Sequence, residues 1–172
     1  YAMYSDEWIS FTGSPHVYNK SNLGTGMVYD RDGVLLMDTS DNRAYASDST
    51  LRKSTVHWLG DRQGNISAPA LNCYSQQIAG FDPVSGLYAF GGTGGRVTMS
   101  LSARVQAAAV EAMGSYKGTI AVYNYKTGEI LCAVTSPTYD PDAMPDVEGD
   151  VTGQYDGVYV HRFFRTAYTP GS

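Results

Sequence analysis

Apolar and polar residues alternate most regularly in the second half of the chain. Val97, Met99 and Leu101 are separated by Thr98 and Ser100, the period of a strand with one buried face. The pattern then lengthens. Ser102 stands where a helix N-cap belongs, and the spacing predicts a helix from Ala103 to Met113, closed by Gly114. Its buried stripe is expected at Val105, Ala108, Ala109 and Ala112. Two strands follow, Thr119 to Tyr125 and Glu129 to Thr135, joined by a tight turn through Lys126-Thr127-Gly128. Gly128 suits a left-handed turn position next to a bulge. Ile120, Val122, Ile130, Cys132 and Val134 can share one face, while Ala121, Tyr123, Leu131 and Ala133 make the other face apolar too. A hairpin apolar on both faces belongs inside a layered sheet with helices on each side.

The front half is less regular. Met27-Val28-Tyr29 and Val34-Leu35-Leu36-Met37 flank Asp30-Arg31-Asp32-Gly33, which predicts a hairpin within residues 25 to 38. Residues 38 to 50 are polar and read as loop, with a short helix near Asp48 to Lys53. Residues 69 to 79 read as a helix with Pro69 in its first turn, Leu71, Tyr74 and Ile78 on one face, and Gly80 as its C-terminal cap. The cluster Gly91-Gly92-Thr93-Gly94-Gly95 lacks the Gly-Lys-Ser/Thr of a phosphate loop. It is expected to be a flexible joint, dividing the chain into segments 1–92 and 93–172.

Past Ser136-Pro137 the chain becomes acidic, with Asp140, Asp142, Asp146, Glu148 and Asp150 broken up by Pro and Gly. The order does not fit an EF-hand, so a solvated loop is expected. The last stretch, Val158 to Tyr168, fits a short helix or an extended run.

Composition narrows the classes. The formal charge of −5 argues against nucleic acid, which demands a basic face. No apolar run reaches the ~18 residues needed to span a bilayer, and no signal peptide is visible. Cys73 and Cys132 have no metal-type spacing, and a disulfide between them is disfavoured. No cofactor is implied.

Several stretches together resemble the class B penicillin-binding proteins. Gly26-Met27-Val28-Tyr29-Asp30-Arg31-Asp32-Gly33 is similar to that family's Arg-Gly-x-Ile-Tyr-Asp-Arg-Asn-Gly, with Thr25 in place of the Arg. Gly95 to Gln106 resembles the segment that opens the transpeptidase domain, with Ser102 replacing a capping Asp. Lys117 to Val122 and Thr127-Gly128-Glu129-Ile130-Leu131-Cys132 resemble the Gly-x-x-Val and Thr-Gly-Glu-Ile-Leu-Ala stretches. Ser136-Pro137-Thr138-Tyr139-Asp140-Pro141-Asp142 resembles Ser-Pro-Ser-Phe-Asp-Pro-Asn, and His161 stands before Arg162 where the family usually has Asn. Residues 38 to 90 match only loosely.

The resemblance implies an α+β fold: an irregular β-rich N-terminal pedestal lobe (1–92), then the helix and β-hairpin that begin a transpeptidase domain (93–172). It implies that Ser172, after Pro170-Gly171, is the nucleophile of the family's S-x-x-K motif. The lysine three positions on, which would activate that serine, lies outside these 172 residues, as do the other two catalytic motifs. This piece alone is therefore expected to be inactive. Lys126-Thr127-Gly128 spells one of those motifs but precedes the serine and reads as turn chemistry. His16, His57 and His161 are expected to be isolated surface or packing residues.

For the parent protein the family implies a D,D-transpeptidase at the extracytoplasmic face of a bacterial membrane, held by an N-terminal helix outside this sequence. Its partners would be peptidoglycan stem peptides, β-lactams and cell-wall synthesis proteins. The uncovered helix and hairpin also predict self-association. From another class comes a glycan-binding β module, in which Trp8, Trp58 and some of the 14 tyrosines would form a sugar-stacking face. Aromatics in a row on one sheet face would favour it.

Overall fold

The computed structural model describes residues 26–39, 44–82, 87–88 and 94–169. They form a mixed α and β arrangement built on two principal sheets. The first is four-stranded, in the order β3-β2-β1-β6. It comprises β1 (Met27–Tyr29), β2 (Leu35–Asp38), β3 (Ala44–Tyr45) and β6 (Arg96–Thr98). The expected β1–β2 hairpin is present, antiparallel, with Val28 opposite Met37 and Gly33 at φ 86° in its turn. β6 joins the other side of β1 in parallel, with Val28 opposite Val97. The second sheet is the hairpin of β7 (Gly118–Tyr123) and β8 (Ile130–Ser136). Its turn holds Gly128 at φ 77°, and the register shifts at Val122/Tyr123 as a bulge. A short ladder pairs β4 (Phe81–Asp82) with β5 (Leu87–Tyr88).

Five helices accompany the strands among the described residues: α1 (Ser49–Leu59), α2 (Pro69–Cys73), α3 (Ser75–Ala79), α4 (Ala103–Met113) and α5 (Arg162–Arg165). α1 begins where expected, capped by the Asp48 carboxylate on the Thr50 N–H at 2.8 Å, but runs past Lys53 to Leu59. Ser54 and Thr55 are weak helix formers. Their hydroxyls bond back to the Leu51 carbonyl at 2.8 Å, which lets them sit buried inside a helix. The expected helix 69–79 is two short helices broken at Tyr74. Leu71 and Ile78 are buried, but Tyr74 points outward.

In α4 the buried stripe is rotated from the expected one. Ala103, Gln106, Ala109 and Met113 face inward, while Ala108 and Ala112 are exposed. Gln106 carries the difference. It is fully buried because its side chain bridges two backbones, donating to Ser54 O at 3.1 Å and accepting from Ala133 N at 3.0 Å. The hairpin is likewise more one-sided than its composition suggested: Cys132 to Ser136 are buried, while Ala121, Val122 and Tyr123 on β7 are exposed.

The largest buried cluster includes Val28, Leu36 and Met37 of the first sheet, Leu51, Trp58 and Leu59 of α1, and Leu101, Ala103 and Ala133 further on. The segments on either side of Gly91–Gly95 thus share one apolar core. Residues 91–93 lie outside the described residues, as does the proposed boundary between 92 and 93. Gly94 and Gly95, expected in a flexible joint, are packing glycines. A Cβ on Gly95 would overlap the Gln77 carbonyl, and one on Gly94 would overlap Gly26 and the Ile78 carbonyl. No described helix is long and apolar enough to cross a membrane.

Candidate functional site

Ser172 and Pro170-Gly171 lie outside the described residues, so the site is built from what leads to them: the turn after β8 and the segment from Val158 to Thr169. β8 ends at Ser136, and the chain then folds back on α1. Thr138 Oγ1 donates to the Lys53 carbonyl at 2.6 Å. Asp140 takes two bonds from Arg52 of α1, Nε to Oδ1 at 2.8 Å and Nη2 to Oδ2 at 2.7 Å. Such a fork-to-fork pair is the strong, directional form of an ion pair. It holds the Asp140 carboxyl below the usual carboxylate range. Arg52 Nη1 also donates to the carbonyls of Ala46 and Ser47. Asp142 is paired with Arg62. This part of the acidic run is therefore locked to α1 rather than being a purely solvated loop.

Arg162 fastens the last described segment. Its N–H donates to Thr135 Oγ1 at 3.2 Å, its Nε to Ser136 O at 3.0 Å, and its Nη2 to Asp156 O at 3.0 Å. α5 begins there as a single helical turn, and the chain continues extended at Thr166.

Beneath it lies an aromatic cluster that the sequence did not suggest. His57 and His161 are both buried, with ring centroids 5.9 Å apart and edge to face. They are packing residues, one of the two expected alternatives, but they are not isolated, since each packs against the other; His16 lies outside the described residues. His57 Nε2 donates to the Val158 carbonyl at 2.7 Å. Trp58 meets His161 at 4.9 Å and Phe164 at 5.4 Å, and its indole N–H donates to Ala133 O at 2.8 Å. Burial lowers the pKa of both histidines to about 4. Burial and the Asp61 carboxylate raise the Tyr139 hydroxyl.

Lys126-Thr127-Gly128 closes the β7–β8 turn. Gly128 N bonds Asn124 O at 2.7 Å, and Thr127 Oγ1 bonds the Glu129 carboxylate at 3.0 Å. An open groove of about 380 Å³ lies elsewhere, lined by Gln63, Asn65, Met144 to Glu148 and Tyr159. Both cysteines are free: Cys73 is exposed, and burial pushes the Cys132 thiol up to about 11. Among the described residues no group of three or more His, Cys, Asp or Glu could hold a metal ion.

For a sugar-stacking face, Trp58 is a core residue. Among the described residues the exposed tyrosines are Tyr74, Tyr116, Tyr123, Tyr125 and Tyr168, and of these Tyr123 alone lies within a strand. Trp8 lies outside the described residues.

No family model matches the chain, and no curated protein does. Among solved structures the chain is similar to Pseudomonas aeruginosa PBP2, determined in complex with WCK 5153. The TM-score is 0.51 and the identity 24%, over 69% of this chain. The match spans 28% of the length of that protein. The likeness is one of fold.

Proposed function

We propose that this chain is the front part of a class B penicillin-binding protein. It carries the pedestal residues and the opening helix and hairpin of a D,D-transpeptidase, up to its nucleophile Ser172. The observation that carries the reading is the meeting of the family-like stretches in one framework whose fold resembles part of PBP2. Asp30 of the first stretch caps the helix of the second, its carboxylate accepting from Ala103 N at 2.9 Å. Arg162, ten residues before Ser172, is tied to Thr135 and Ser136 at the end of the hairpin. A nucleophile must be held within a fraction of an ångström of its productive position, and such ties fix the path that leads to it.

In this reading the piece positions the transpeptidase domain and gives cell-wall synthesis proteins a surface to contact. The whole protein cross-links peptidoglycan stem peptides, is acylated by β-lactams, and works at the outer face of a bacterial membrane. No cofactor is called for, because serine acyl transfer needs a nucleophile, a base and oxyanion donors. The test is the native coding sequence past Ser172. A lysine three positions on, followed later by Ser-x-Asn and Lys-Thr-Gly, is expected. A continuation without that lysine would overturn the reading.

A further inference from the structure

The His57–His161 pair has no part in the acyl-transfer chemistry proposed above, and the present inference stands independently of it. Two imidazoles are enclosed together with three ring nitrogens, His57 Nδ1 and both nitrogens of His161, lacking a hydrogen-bond partner among the described residues. The pair joins two different elements. His57 sits near the end of α1, and His161 opens α5. What His57 grips is the backbone of the same C-terminal segment, the Val158 carbonyl. Beyond the histidines, that segment is held to β8 by the bonds of Arg162 to Thr135 and Ser136, while its Val160, Phe164 and Tyr168 are exposed.

We propose that His57 and His161 form an acid-sensitive latch, which seats the segment from Val158 to Thr169 on α1 while both rings are neutral and releases it when either is protonated. A proton on either ring places a cation in an apolar enclosure beside the other ring. The neighbouring charge makes this worse, since Arg162 disfavours a charged His57, and His57 disfavours a charged His161. The other ionisable groups on the surrounding elements are engaged elsewhere. Arg52 is paired with Asp140, Asp61 bears on Tyr139 and Tyr159, and the Asp156 carboxylate lies toward Lys117. Arg165 adds a second cation on α5. β8 contributes the neutral Thr135 and Ser136 at this place.

The direction with pH follows from linkage. Both rings have a lower pKa in the seated state, about 4, than the ordinary value of about 6.5. The released state therefore binds more protons between those values, and the latch weakens as pH falls through that window. Release at pH 4 is expected to be favoured at least about a hundredfold over its value at pH 7.

Hydrogen exchange on the 172-residue chain, corrected for the intrinsic pH dependence, is the test. From pH 7 to pH 4 the amides of Val158, Val160, Phe164 and Arg165 should lose protection by about two orders of magnitude, while those of β1, β2, β7 and β8 keep theirs. The double variant His57→Gln/His161→Phe, in which neither ring is left to protonate, should retain the protection. Unchanged protection of the unaltered chain down to pH 4, loss at the same pH in the double variant, or simultaneous loss throughout the chain would each overturn the latch. If the double variant does not fold, NMR titration of the imidazoles in the unaltered chain decides. Rings that stay neutral to about pH 5 support the latch, and rings that titrate near 6.5 overturn it.

Discussion

The Asp30 carboxylate accepts the backbone N–H of Ala103 at 2.9 Å, across 73 positions of sequence. One oxygen caps α4. The other accepts from Asp32 N at 2.9 Å and Val34 N at 2.7 Å in the β1–β2 turn. Arg31 N also bonds the Leu101 carbonyl at 3.0 Å, so the turn and the helix entrance are held together twice. Ser102 occupies the N-cap position, as expected, but its side chain makes no cap bond. The capping was assigned to the wrong side chain because a cap supplied from another element leaves no local signature.

Asp30→Ala should therefore cost about 2–4 kcal/mol, because it strips the acceptor from three backbone donors at a site only 1% exposed. Ser102→Ala should cost under about 1 kcal/mol. Urea denaturation of both variants checks the ordering; equal losses would contradict it.

Gly95→Ala should cost more than about 2 kcal/mol, because the new methyl group meets the Gln77 carbonyl, a backbone atom with little room to move. Gly33 sits at φ 86° with open space around it, so Gly33→Ala should cost only about 1 kcal/mol of backbone strain. Thermal melts of the two variants compare them directly.

Arg52→Ala and Asp140→Ala should each cost about 2–3 kcal/mol, between the exposed and fully buried limits for ion pairs. Together they should cost much less than the sum. Arg52→Lys should recover little, since an ammonium cannot make the two-point contact. Arg52 holds the Asp140 carboxyl below its ordinary value. The pair's contribution is therefore fully present above about pH 4 and is lost as pH falls through the lowered value. A double-mutant cycle at pH 7, repeated at pH 3, measures both effects.

The hairpins were legible because their signals are local: Asp32-Gly33 and Thr127-Gly128 each supply the positive φ that their turns need. The apolar alternation from Val97 to Leu101 was legible for the same reason. The residues that fasten the elements were not. Gln106 reads as polar and therefore outward, yet it is buried because Ser54 and Ala133 satisfy it. Arg52 meets Asp140 from 88 positions away, and no periodicity encodes such a partner. Gly94 and Gly95 looked like freedom for the chain, whereas the α3 backbone they touch makes them a packing requirement. His57 and His161 were read singly because only the fold brings them together.

The central claim is that Ser172 is the acylated serine of a penicillin-binding protein, activated by residues that follow it. Fluorescent penicillin is incubated with the 172-residue chain and with the same chain continued through the C-terminal remainder of its native protein, and the adduct is mapped by mass spectrometry. One label per molecule at Ser172 in the continued chain is expected, abolished by Ser172→Ala and undetectable in the 172-residue chain. Labelling at Ser172 in the 172-residue chain, or none in the continued chain, would contradict the account.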